Sequence, residues 1–166
     1  MNSGLLTRNH IRLPNYDYST AGYYFLTICT KDKKKLLCDI VGTGLPDGPK
    51  IRYTTKGSVA KKRLQIMSDF YDDVKIEKYV IMPNHIHMMI HILESNDIHS
   101  DHSPTNSKIS KFVGTFKRLC NKEYGCNIWQ SRSYDHIIRD EKDYLKIMNY
   151  IENNPEKWIE DRFFVE

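Results

Sequence analysis

The run Met82-Pro83-Asn84-His85-Ile86-His87-Met88-Met89-Ile90 sets two histidines one residue apart in a strand-like segment. Side chains alternate across a strand, so His85 and His87 share a sheet face and can hold one divalent cation between their imidazoles. Further along, Tyr150-Ile151-Glu152-Asn153-Asn154 carries a phenol and an amide four positions apart, one above the other on a helix. A cation that polarises a phosphate and a phenol that attacks it make a DNA-cutting pair. A bare His-x-His is ordinarily no more than polar decoration of a half-buried strand. Here Pro83 and Asn84 directly before it, and bulky apolar residues directly after it, mark a positioned pair. His91 shares the face but lies about 13 Å along from His87 at ~3.3 Å per residue, too far to join the same ion, and reads as structural or as a phosphate contact.

The elements that must position these groups follow from periodicity. Tyr23–Thr30 is aromatic and β-branched and reads as the first strand. The Gly- and Pro-rich stretch 42–49 is a turn or hairpin tip between short strands near Leu36–Ile40 and Ile51–Thr54. A helix is expected over about 56–70, with Val59, Leu64, Ile66, Met67 and Phe70 on its apolar side. Strands Val74–Ile81 and His85–Ile92 meet at a Met-Pro-Asn bend. In the second of them Ile86, Met88, Ile90 and Ile92 form the core face, which leaves His85, His87, Met89 and His91 on the opposite surface. Residues 94–106 are polar and read as a loop or short linker. A second helix over about 107–122 turns Ile109, Phe112, Val113, Phe116 and Cys120 inward, a strand is expected over 129–138, and Asp140 starts a third helix that Pro155 closes. The order strand, helix, strand, strand, helix, strand, helix is the α+β, ferredoxin-like split βαβ pattern with an additional C-terminal helix carrying Tyr150. That pattern hosts many functions and decides none.

The whole chain sets the limits. Its 166 residues fit one domain over 1–166, with a core of about 18–158. The four cysteines, Cys29, Cys38, Cys120 and Cys126, form no CxxC pair, and with no signal peptide ahead of them they read as reduced thiols in a cytoplasmic protein. No run of 18 apolar residues offers a membrane span. The net charge of +4 permits a nucleic-acid partner without requiring one. Its distribution says more: Lys108, Lys111, Lys117, Arg118 and Lys122 recur along the second helix, where they can follow a phosphate backbone.

The motifs Tyr18-x4-Tyr23-Tyr-Phe-Leu-Thr-Ile-Cys-Thr30, Met82-Pro-Asn-His-Ile-His-Met88, Ile109-x2-Phe-Val-x2-Phe-Lys117, Trp129-Gln-x-Arg-Ser-Tyr-Asp-His-Ile-Ile-Arg139 and Tyr150-Ile-Glu-Asn-Asn-Pro155 stand in this order. Together they resemble the single-tyrosine HUH transposases, most of all the branch of REP-associated tyrosine transposases, close relatives of small insertion-sequence transposases. The resemblance spans most of the chain. It implies a Mg²⁺- or Mn²⁺-dependent endonuclease and strand transferase acting on single-stranded DNA, often beside a small hairpin, and often as a homodimer. By motif position it makes His85 and His87 metal ligands, Tyr150 the nucleophile and Asn154 the third metal-approaching group. Many insertion-sequence relatives carry glutamine at that last position; asparagine favours the REP-associated branch.

The chemistry so implied is attack of the Tyr150 phenolate on phosphorus, departure of a 3′ hydroxyl and a 5′-phosphotyrosyl product that a 3′ hydroxyl can later resolve. Lys111, Lys117, Arg118, Lys122 and Arg132 are the expected DNA contacts, and Tyr16, Tyr18, Trp129 and Tyr134 are candidate base-stacking residues. Neither a carboxylate nor a histidine stands out as general base. The alternative is a domesticated, non-catalytic module that binds hairpin DNA. An RNA-recognition domain of the same topology is disfavoured, because its paired aromatic motif is absent from the sequence. A purely structural metal protein leaves Tyr150 and Asn154 without a role.

Overall fold

The computed structural model describes residues 16–42, 46, 48–94 and 107–165. Part of the expected 42–49 turn tip, most of the 94–106 loop and the residues before Tyr16 therefore lie outside the described residues. Strands β1 (Gly22–Cys29), β4 (Val74–Ile81), β5 (His85–Ile92) and β6 (Tyr134–Ile138) form one sheet in the order β4-β5-β1-β6, every neighbouring pair antiparallel. Strands β2 (Cys38–Val41) and β3 (Lys50–Tyr53) make the separate hairpin, and α1 (Thr55–Phe70), α2 (Lys108–Tyr124) and α3 (Glu141–Asn153) complete the expected order.

The sheet has two unlike faces, and alternation along each strand assigns them. Tyr24, Leu26 and Ile28 of β1 lie opposite Ile90, Met88 and Ile86 of β5, and this face packs under α1 and α2 into the larger core with Leu64, Phe112, Phe116 and Trp129. On the other face Tyr23, Phe25, Thr27 and Cys29 lie opposite His91, Met89, His87 and His85. There α3 and the chain that follows it close a smaller core around Phe25, Met82, Met89, Ile147, Ile151 and Trp158. The histidines are therefore not at the surface, as the apolar alternation of β5 alone predicts: both are 0 % exposed, because a second layer covers their face.

Strand β4 carries a bulge. Ile76 pairs with Ile90 and Lys78 with Met89, so Glu77 is an extra residue. The extra residue reverses the parity of the strand, which lets Val74 and Ile76 before it and Tyr79 and Ile81 after it all face the larger core.

Helix α1 departs from its expected apolar side. Its buried residues are Gly57, Ala60, Leu64 and Met67, while Ile66 and Phe70 are 40 % and 75 % exposed. The first turn explains the shift. Thr54 caps the helix by accepting from Gly57 N at 3.1 Å, and Thr54 N and Oγ1 both reach the carbonyl of Leu37 at 3.0 Å. The helix start is thereby clamped against the chain at Leu37, and a Cβ on Gly57 would overlap that carbonyl and lie 2.8 Å from its carbon. Gly→Ala inside a helix ordinarily stabilises by about 0.5–1 kcal/mol. Here the sign is reversed: Gly57→Ala is expected to destabilise by about 3 kcal/mol, as overpacking against rigid backbone does, and urea denaturation measures it.

Helix α2 is capped by Ser107, which accepts from Ser110 N, and ends at Gly125 in the left-handed region (φ 70°). Its inward residues are those expected. The last strand is shorter than expected: Trp129 touches the sheet through a single bridge to Thr30, and pairing resumes only at Tyr134. Helix α3 begins where Asp140 accepts from Asp143 N at 2.8 Å.

Candidate active site

Cross-strand pairing builds the floor of the site. Thr27 sits directly opposite His87, and its Oγ1 lies 2.8 Å from His87 Nδ1. At the β4–β5 turn, Asn84 donates its Nδ2 to the carbonyls of Lys33 (3.1 Å) and Phe163 (2.8 Å). Its Oδ1 is therefore the acceptor facing His85 Nδ1 at 2.8 Å. His85 Nδ1 carries the proton, and the lone pair is left on Nε2, which is buried and has no hydrogen-bond partner.

Helix α3 supplies the wall. Tyr150 is 38 % exposed, with its hydroxyl 3.1 Å from His87 Nε2 and donating to Asp161 Oδ2 at 2.9 Å. The phenol thus reaches the histidines of its own chain. One turn on, Asn154 is buried; its Nδ2 donates to Asp161 Oδ2 at 2.8 Å, and its Oδ1 is a second buried atom without a partner. The Lys78–Glu152 ion pair at 2.9 Å ties this helix to β4.

The lid is the segment after α3. Trp158, in a short 3-10 turn over Trp158–Glu160, and Phe163 both pack on the His85 ring, at 5.9 and 4.6 Å between centroids. Asp161 is aimed inward, with Oδ1 accepting from Phe163 N at 2.7 Å. Sequence reasoning missed Asp161, and the signal that marks it is the aromatic density of Trp158, Phe163 and Phe164, which a solvated tail does not need.

These surroundings fix the protonation states. Burial pulls His85 down to about 4, against the opposing pull of Asp161's charge, and burial with the neighbouring His85 holds His87 well below its ordinary value. Both imidazoles are neutral at pH 7, the form in which they bind metal. Burial first, then the charge and hydrogen bond of Asp161, push the Tyr150 phenol up to about 12. The residues present fit a divalent cation: two neutral imidazoles and a carboxylate lie with donor atoms within 4.8 Å of one another, Asn154 is hydrogen-bonded to that carboxylate, and His85 Nε2 and Asn154 Oδ1 are buried with no partner.

The other expected residues lie elsewhere. Lys111, Arg118, Lys122 and Arg132 are exposed. Lys117 is turned inward, donating to the carbonyl of Gln130 at 2.7 Å and more distantly to those of Ser131 and Arg132, and burial pulls its ammonium down to about 8. Tyr18 and Trp129 belong to the larger core, which removes them as base-stacking candidates. Tyr134 remains exposed, with the Arg162 guanidinium 5.1 Å above its ring. His91 is stacked on Tyr23 at 4.1 Å and lies 3.6 Å from Glu77, a structural role.

The family described as Transposase IS200 like matches residues 48–154, a span that holds the histidine pair, Tyr150 and Asn154. The chain belongs to the IS200-like transposases. Among its relatives in this family is a REP-associated tyrosine transposase of Escherichia coli K12, 34 % identical over 87 residues, which are 51 % of this chain and 47 % of that one. An uncharacterized protein of Haemophilus influenzae is 34 % identical over 181 aligned positions, covering 99 % of this chain and 97 % of its own. The structure of a REP-associated tyrosine transposase bound to a REP hairpin superposes with a TM-score of 0.62 at 23 % identity, covering 89 % of this chain and 73 % of that one. The IS200-like fold, with its antiparallel sheet and three helices, is thus common to both. Among the described residues no helix is long and apolar enough to cross a membrane.

Proposed function

We propose that this IS200-like transposase is a metal-dependent nuclease and strand transferase of single-stranded DNA that works through a covalent tyrosyl intermediate. The observation that carries the reading is the convergence of Tyr150 Oη on His87 Nε2 at 3.1 Å, with the His85 ring, whose Nε2 has no partner, 4.3 Å from that of His87. His85, His87 and Asn154 would hold a divalent cation, Mg²⁺ or, given the nitrogen donors, Mn²⁺. Bound there, it would supply positive charge to a non-bridging phosphate oxygen and to the phenolate.

The chain's own groups do the rest. Tyr150 Oη forms the new bond to phosphorus while the bond to the 3′ oxygen breaks. The phenol's proton passes to Asp161, to which it already donates, and the 3′ oxygen leaves as a hydroxyl after taking up a proton from water. The 5′-phosphotyrosyl ester keeps the phosphodiester's reactivity, so a 3′ hydroxyl can rejoin it without an external energy source. A cleft of about 330 Å³ lined by Lys146, Asn149, Asn153 and Lys157 opens onto Tyr150 and gives the strand its approach. The contact of Tyr150 Oη with His87 Nε2 within one chain supports action of the tyrosine in cis.

A hairpin is the favoured form of the DNA, because the structural neighbour holds a REP hairpin. A groove of about 730 Å³ along α2, lined by Arg118, Asn121, Lys122, Cys126 and Asn127, is the surface offered to its backbone. If Lys111, Arg118 and Lys122 each meet a phosphate, replacing all three by Ala flattens the slope of log affinity against log salt by about 2. An unchanged slope removes them from the interface. The reading as a whole is tested by incubating the protein with Mn²⁺ and labelled single-stranded hairpins, then mapping any SDS-resistant adduct by mass spectrometry. An adduct on Tyr150 is expected; binding without an adduct across a broad library would favour the non-catalytic hairpin-binding module.

A further inference from the structure

We infer that Asp161 is a further protein donor to the cation held by His85 and His87, so that the segment after α3 is part of the metal site; the inference rests on the metal-dependent reading above. Donor atoms of His85, His87 and Asp161 lie within 4.8 Å of one another, and among the described residues this is the one cluster of its kind. A small side-chain adjustment brings such a set onto one ion at the usual ~2.1 Å.

Three further observations support it. First, the carboxylate is already oriented: Oδ2 accepts from Tyr150 and Asn154, and Oδ1 from Phe163 N. An ionised carboxylate offers about four lone-pair positions, so one is left for a cation. Second, His85 belongs to the same cluster and its Nε2 is fully buried without a partner. Third, Asp161 is the one anionic group of that cluster. Two imidazoles and an amide bring no charge to offset a dication in a buried pocket, whereas Asp161 does. Asn154, bound to Asp161 through its Nδ2 with Oδ1 left free, then both presents the carboxylate and keeps its own oxygen available.

The test reads metal binding in the full chain. Free Mn²⁺ is followed by its electron paramagnetic resonance signal for the wild type, His85→Ala and Asp161→Asn. Wild-type binding that His85→Ala abolishes and Asp161→Asn weakens about tenfold or more is the expected result. A direct readout of coordination comes from Asp161→Cys in a Cys126→Ser background titrated with Cd²⁺. A thiolate-to-cadmium charge-transfer band should appear in the ultraviolet and vanish when His85→Ala is added. Equal Mn²⁺ affinity in wild type and Asp161→Asn overturns the inference while leaving the metal-dependent reading intact. Weaker binding without a cadmium–thiolate band also overturns it, since Asp161 would then only position its neighbours. Absence of Mn²⁺ binding by the wild type removes the metal-dependent reading itself.

Discussion

Tyr150→Phe is expected to reduce covalent adduct formation on single-stranded hairpin DNA at least about a thousandfold while hairpin affinity stays near the wild-type value, since the lost group is made to act only in the chemical step. The fold should survive. Phenylalanine keeps the ring that packs edge-on against Phe25 at 5.9 Å, and Asp161 retains its bonds from Asn154 and Phe163. What is lost is the contact to His87 Nε2 and one bond to Asp161, about 1–3 kcal/mol of stability. Denaturing gel electrophoresis of the Mn²⁺ reaction, beside a binding titration in the same buffer, separates the two effects. A persistent adduct in the variant would transfer the nucleophile's role to another residue.

The second large effect is acid sensitivity. His85 is held down to about 4 by burial, and its ordinary value is 6.5. Between those two values the unfolded chain binds a proton that the folded one refuses, so stability is complete above about pH 6.5 and falls as the pH drops toward 4. The loss from His85 alone is on the order of 3 kcal/mol, and His87 is shifted in the same direction by the same cause. Urea denaturation at pH 7 and pH 4.5 measures the difference, and His85→Gln should remove a large part of it. Equal stability at the two pH values would mean that water reaches the imidazoles.

Much of this was legible in the residues, and the parts that were not have particular causes. Strand β5 and the pairing of His85 with His87 follow from alternation alone, and Tyr150 with Asn154 from helical spacing. Alternation cannot say what covers a face, so the burial of both histidines under α3 and Phe163 appears only in three dimensions. Likewise the parity of β4 changes at Glu77, where no residue type announces a bulge. The apolar side of α1 was misplaced because the clamp between Thr54, Gly57 and the Leu37 carbonyl rotates that helix, leaving Phe70 outside. Asp161 was missed for a related reason: its role depends on a tail folding back, and a single carboxylate beyond a proline carries no spacing signal.

The four thiols fall into two groups. Cys29, Cys38 and Cys120 are buried, and burial raises all three, which keeps them protonated and slow to react, whereas Cys126 is exposed. Cys126 also lines the α2 groove beside Arg118 and Lys122. The native chain therefore carries its own reporter: a maleimide dye attaches at one position without any engineered cysteine, and the rate of that labelling, with and without a hairpin, reads directly whether the groove is occupied.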